Sequence, residues 1–243
     1  MLNLEGIENS EYNNAGALFG VDENGMTEEL LGALAKIKNP VKKAKIIQKL
    51  AAPPIPSKGS RAEMEKHFVE LPGHVKEQLK KGDLRLADTL VYAIKPLSSK
   101  TIKMFEPQDT RKIGLRSLSE GKLPKNAVLL VSGIIMLAGT AAGASEDEAM
   151  SATYGKIESF PAIALGEFSL KANKKIIVPE GTGNRVFATE ANHNVPLGYY
   201  KLANPRLIQD DVAIELTVEL GTTTGIAANS YLFMALHGTI TTP

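Results

Sequence analysis

The sequence predicts an antiparallel β-sandwich or barrel that follows a basic, helix-rich N-terminal region. Two observations carry this. After about residue 86, short runs with period-two alternation or β-branched composition recur between Gly/Pro/Asn/Asp punctuation. No helix-length pattern separates those runs, so there is no βαβ rhythm and no parallel sheet. The boundary is set at residues 1–85 for the arm region and 86–243 for the sandwich, within a chain of 243 residues.

The N-terminal elements follow in order. Residues 1–25 are polar, rich in Asn and Gly and without periodicity, which reads as an irregular arm. Thr27 caps a helix over 28–38, with Leu30, Leu31, Leu34 and Ile37 at helical spacing, acids at its start and lysines at its end. Pro40 ends it, and 41–50 reads as a second, basic helix. Residues 51–59 form a linker, because Pro53, Pro54 and Pro56 cannot sit inside a helix or a central strand. Ser60 caps a helix to about residue 70, and 72–81 makes another that Gly82 stops.

Seven strand stretches are then legible: 88–95, 100–106, 126–138, 167–170, 174–179, 212–220 and 230–241. Ala172-Asn173 reads as a tight hairpin turn between the fourth and fifth. Val212, Ile214, Leu216, Val218 and Leu220 alternate cleanly, so they share one face. Residues 126–145 carry no charge, which raises the question of a membrane span. The strongly apolar part covers only 127–138, short of the ~20 residues a spanning helix needs, so a buried strand fits better.

Charge is unevenly distributed. Residues 1–34 hold seven acids and no Lys or Arg, a net of −7. Residues 35–125 hold 21 basic and 9 acidic side chains, a net of +12, and residues 126–243 hold 7 and 11, a net of −4. The whole chain is left at +1. The middle block reads either as solvated helix faces or as a basic surface facing phosphate, in nucleic acid or lipid headgroups. Its densest run is Lys36, Lys38, Lys42, Lys43, Lys45 and Lys49. Few aromatics accompany it, which argues against sequence-specific reading of single strands.

Catalytic motifs fail one by one. There is no cysteine, which removes disulfides, thiolate metal sites and thiol nucleophiles. The four histidines, His67, His74, His193 and His237, are scattered. Gly181-Thr182-Gly183 lacks the third glycine of a dinucleotide fingerprint, and no Walker A, GxSxG or HExxH sequence occurs. Asp22-Glu23-Asn24-Gly25 lacks the later ligands of a calcium loop. Glu146-Asp147-Glu148 reads as a solvated loop tip, Asp210-Asp211 as a turn, and His237 as a packed strand histidine. No nucleophile, base and orienter come together, so neither an enzyme nor a cofactor is expected. The N-terminus has no basic flank or apolar run of a secretory signal.

Four stretches resemble viral single jelly-roll capsid domains, including those of bacteriophages. They are 115–124 (LRSLSEGKLP) leading into the apolar strand, 166–177 (GEFSLKANKKII), 202–211 (LANPRLIQDD) before the alternating strand, and the closing 231–238 (YLFMALHG). The resemblance implies a mainly β chain: an antiparallel jelly-roll sandwich preceded by an N-terminal helical or irregular arm. It implies a virion protein, assembled in the host cytoplasm, whose partners are copies of itself and other virion proteins. Its arm would make neighbour contacts or line the inner surface, with the six lysines facing nucleic acid or an internal membrane. Cupin enzymes share the jelly-roll plan, but their HxH motif with a downstream Glu is missing here. A spike base, head fibre or tail adaptor remains an alternative, as does a carbohydrate-binding sandwich. The last needs an aromatic platform, for which Tyr199-Tyr200 is the one adjacent pair; Trp is absent.

Overall fold

The computed structural model describes residues 60–192 and 195–243. The chain divides into two compact units, residues 1–83 and 84–243. The predicted helices over 28–38 and 41–50, the linker and the six lysines lie outside the described residues.

The described part of the first unit is helical. Helix α1 (Ser60–Lys66) gives way to a 3₁₀ turn (Phe68–Glu70), then α2 (Gly73–Lys81). The sequence pattern ran α1 on to residue 70. The chain tightens instead because Pro72 disfavours helical geometry at the residue before it; Leu71 is extended, at φ −65° and ψ 146°. Gly82 closes α2 with φ +81°, its N–H bonding Leu79 O while the Asp83 N–H bonds Gln78 O. That pair of bonds satisfies two of the last free carbonyls of the helix and needs the left-handed conformation that glycine adopts without strain.

The second unit is a jelly roll. Its strands are β1 (Arg85–Pro96), β2 (Thr101–Lys103), β3 (Leu129–Thr140), β4 (Glu167–Ala172), β5 (Lys175–Gly183), β6 (Tyr199–Ile208), β7 (Ile214–Glu219) and β8 (Ser230–Thr242). They form two antiparallel four-stranded sheets, ordered β1-β8-β3-β6 and β2-β7-β4-β5. The pairings are nested: β4 with β5, β3 with β6, β2 with β7 and β1 with β8. One long hairpin, rolled up, gives that order. Its innermost turn is Asn173-Lys174, with φ of 50° and 62°. Two successive positive-φ residues match the right-handed twist of the flanking strands, so the turn sits one residue later than the pattern placed it.

The core lies between the sheets. Inward residues of β3 and β8 (Ile134, Met136, Leu232, Met234, Leu236) meet those of β4 and β7 (Phe168, Leu170, Leu216, Val218). Phe168 and Phe187 pack at 4.8 Å between ring centroids, and Tyr200 meets both edge-on. Each of the two buried phenylalanines contributes roughly 1.5–3 kcal/mol by leaving water. The alternation read in 212–220 is the buried face of β7, where Ile214, Leu216 and Val218 are buried and Glu215 and Glu219 are exposed. Residues 127–138 read as an unbroken apolar run because β3 is covered on both faces over much of its length. Among the described residues no helix is long and apolar enough to cross a membrane.

The strand that the pattern missed is β6. Asn204-Pro205 looks like loop text, and its burial does not alternate. Residues 202–205 form a bulge opposite Ser132, where the register of β3 also slips against both partners, and Leu202 at its start is buried in the core. An edge strand tolerates this, because one side of it owes no ladder bonds.

Each sheet edge is short, covered or interrupted. The edge of β1 is capped at Tyr92 and Ile94 by the connection from β2 to β3: Ile94 N–H bonds Leu115 O, and Ser117 N–H bonds Tyr92 O. β2 is three residues long, β5 carries Pro179 and a left-handed Gly181, and β6 carries Pro205.

β3 and β8 approach closely at Gly238, opposite Val131, where a methyl group would collide with the Leu130 carbonyl. Gly238→Ala should therefore destabilise by about 3 kcal/mol, the upper end for overpacking, because backbone cannot move aside as a side chain can. Gly221→Ala, with open space around it, is the control and should unfold within a few tenths of a molar denaturant of the parent. Chemical unfolding of the two variants measures the difference.

Candidate functional site

The built-up surface of the second unit lies along the β1 edge, where charged side chains tie three segments together. Lys95, near the end of β1, is buried. Its Nζ lies 2.6 Å from Glu106 Oε2 and 2.7 Å from Asp109 Oδ1. Asp109 is itself buried, and its Oδ2 accepts the Glu106 N–H at 2.9 Å. Arg116 Nη1 stands 3.9 Å from Asp109 Oδ1, while its Nη2 bonds Glu146 Oε1 at 2.9 Å. Lys112 Nζ reaches the other Glu146 oxygen at 2.9 Å and Asp147 at 3.5 Å. A buried charge is costly unless paired and hydrogen-bonded, and here each of these charges has a partner.

Glu146 opens helix α3 (Glu146–Ser151), whose first turn is capped reciprocally by Ser145 and Glu148. Three acids in that turn also suit the helix dipole. This corrects the reading of Glu146-Asp147-Glu148 as a solvated loop tip: the cluster begins a helix, and Glu146 bridges it to the β2–β3 connection. A second apolar cluster sits beneath α3, of Ile94, Leu115, Ala141, Ala149 and Tyr231. Tyr154 Oη donates to Ala149 O at 2.7 Å, and burial pushes its phenol up to about 12.

Residues 112–116 form a tight turn. Lys112 and Arg116 exchange backbone bonds of 3.1 and 2.8 Å, and Gly114 N–H donates to Tyr92 Oη at 3.0 Å. Gly114 adopts φ +86° against Met150 Sδ. The apex residue Ile113 is 83% exposed.

The remaining candidates make local packing and hydrogen-bond contacts. His237 lies in mid-β8 with its ring edge-on to Tyr199 at 5.6 Å. Ser132 Oγ is 3.4 Å from its Nδ1 and 3.3 Å from its carbonyl oxygen, which fastens the β3 bulge rather than activating a nucleophile. Asp210 Oδ2 accepts Asn126 N–H at 2.8 Å, and Asp211, at φ 53°, pairs with Lys122, so the two carboxylates pin a turn. Tyr199 and Tyr200 open β6 and point to opposite faces. Tyr200 enters the core, so the pair cannot form one sugar-stacking platform. His67 pairs with Glu70; His193 and Asp22 to Gly25 lie outside the described residues. Among the described residues no group of three or more His, Cys, Asp or Glu is placed to hold a metal ion. No protein-family model matches the chain, and no curated protein matches it significantly.

The cluster of Lys95, Glu106, Asp109 and Arg116 has no sequence signature, because the three partners lie 11 to 21 positions after Lys95 and share no motif. The one local signal was a lysine in an otherwise apolar strand run.

Two consequences are measurable. Lys95→Met strands Asp109 with Arg116 as its remaining charge, and should cost about 2–3 kcal/mol in denaturant unfolding, below the ~3–5 of a fully broken buried pair. Hydrogen bonds from Lys112 and then Arg116 hold the Glu146 carboxyl below its ordinary value of 4.5. Its folded value being depressed, its stabilisation is present above pH 4.5 and lost as pH falls through the lowered value. Melting curves of Glu146→Gln should therefore lie below the parent at neutral pH and merge with it in acid.

Proposed function

We propose that this chain is a structural virion protein, a capsid shell subunit that self-assembles through its jelly roll. Supporting this is the strand order β1-β8-β3-β6 over β2-β7-β4-β5, the same architecture the sequence resemblance implied. A fold alone does not give a function, and other jelly-roll proteins include metal enzymes and lectins. The competing uses have less support here: the HxH motif is missing from the sequence, and the tyrosine pair is split between the two faces of its sheet.

The physical logic suits a shell. A rigid sandwich with interrupted edges presents loops and flanks, not free ladders, to identical neighbours. The N-terminal region would contact neighbours or line the inner surface. There Lys36, Lys38, Lys42, Lys43, Lys45 and Lys49 would neutralise phosphate of packaged nucleic acid or of an internal membrane. Assembly in a reducing host cytoplasm agrees with a sequence free of cysteine.

Negative-stain microscopy with light-scattering mass, on purified protein at low and high salt, tests the reading. Shells, rings or sheets of repeating subunits are expected, weakened by salt if the charge blocks contribute. A discrete trimer at every salt concentration would point instead to a spike base or adaptor. A monomer at all concentrations would overturn self-assembly.

A further inference from the structure

We infer that copies of this chain meet head to tail, the Ile113 turn of one copy docking beside Leu165 of the next. The inference rests on the self-assembly reading and adds to it the contact and its symmetry.

The two surfaces belong to different sheets of one jelly roll. β1 edges its sheet, whereas Leu165 leads into β4, which lies between β7 and β5 in the other. The Ile113 turn stands outside β1, fastened to Tyr92 and α3. Leu165 follows helix α4 (Pro161–Ala164), which is bound to the β5–β6 connection: Asn184 Nδ2 donates to Ile163 O at 2.8 Å, and Asn184 N–H to Gly166 O at 2.9 Å. Both lie toward the same end of the sandwich, where β1 and β3 finish and β8 begins. A contact between two different surfaces of the same chain is heterologous, and a rotation that closes turns it into a ring.

Each surface presents one exposed apolar side chain on a braced segment. Ile113 is 83% exposed and Leu165 74%. An apolar side chain on a braced turn loses little entropy on docking, which is what makes an anchor effective.

The charges beside them are complementary. Arg111, next to the turn, is exposed and forms no ion pair among the described residues. On the Leu165 side, Glu167 and Glu219 are direct cross-strand partners, both exposed. Like charges in that position destabilise a sheet, and no described cation lies within ion-pair distance of either. Lys171 feels Glu219 but is engaged first by Glu180. A cation from a second copy relieves the repulsion; Arg111 is the one placed beside the apolar anchor.

Cysteine cross-linking tests the contact cleanly, because the sequence has no thiol of its own. Ile113→Cys and Leu165→Cys are made singly and together in the full chain, assembled, oxidised and run under denaturing, non-reducing conditions. The double variant should give a ladder of dimers, trimers and larger species. An equimolar mixture of the single variants should stop at dimers, and each single variant alone should remain uncrosslinked. Homodimers from one single variant would overturn the head-to-tail geometry in favour of a two-fold contact. An assembled double variant without a ladder would overturn the contact while leaving self-assembly standing, whereas a parent protein that never assembles would overturn both. As a second readout, Arg111→Glu should raise the concentration needed for assembly about tenfold, and adding Glu167→Arg should restore it; no change in either would count against the charge pairing.

Discussion

The second unit depends on where β8 lies. The last strand of the roll is central in its sheet, between β1 and β3, and it supplies Leu232, Met234 and Leu236 to the core. Until it pairs, β1 has no partner in the sheet and β3 has only the bulged β6. β1 and β8 are the strands furthest apart in the chain, so their pairing closes the longest loop of the nest. Contacts of such long sequence separation carry a high entropic barrier, and sandwiches of this kind fold slowly as a result. The covalently easy pairing, β4 with β5 across a two-residue turn, is the natural place for ordering to begin.

Legibility in the sequence followed physical rules. Strands with one wet face announced themselves by alternation, as in β7, and β3 by an unbroken apolar run. β6 was silent because it is an edge strand interrupted by a four-residue bulge, so its ladder obligations are few and its pattern is broken. The hairpin turn was found within one residue, since Asn tolerates positive φ but Lys174 gives no signal that it does too. The acids at 146–148 were read as solvated because nothing local says that Lys112 and Arg116, some thirty residues earlier, return to meet them. Ionic pairing across loops is a property of tertiary closure, and composition does not encode it.

That ionic lattice changes what the long β2–β3 connection is. A stretch of residues 104–128 without regular structure would ordinarily be expected to move. Here Lys95 anchors its start, Leu115 and Ser117 extend the β1 edge, and Arg116 and Lys112 hold it to α3. The connection therefore behaves as part of the sandwich wall, and its apex can present a side chain in a fixed direction. Rigidity is bought by burying charge, which ties local order there to the protonation of one exposed glutamate.

Arg85 and Thr242 are cross-strand partners, so the chain enters and leaves this unit at adjacent points, a few ångströms apart. Nothing in the nested pairing requires the covalent order that the chain happens to have. In the second unit taken by itself, a short linker across that gap, with the chain reopened at Asn173-Lys174, would preserve every strand neighbour while turning the innermost hairpin into the two termini. In such a permuted molecule the β1–β8 pairing becomes local and the β4–β5 pairing distant, which reverses the order of closure without altering the final architecture.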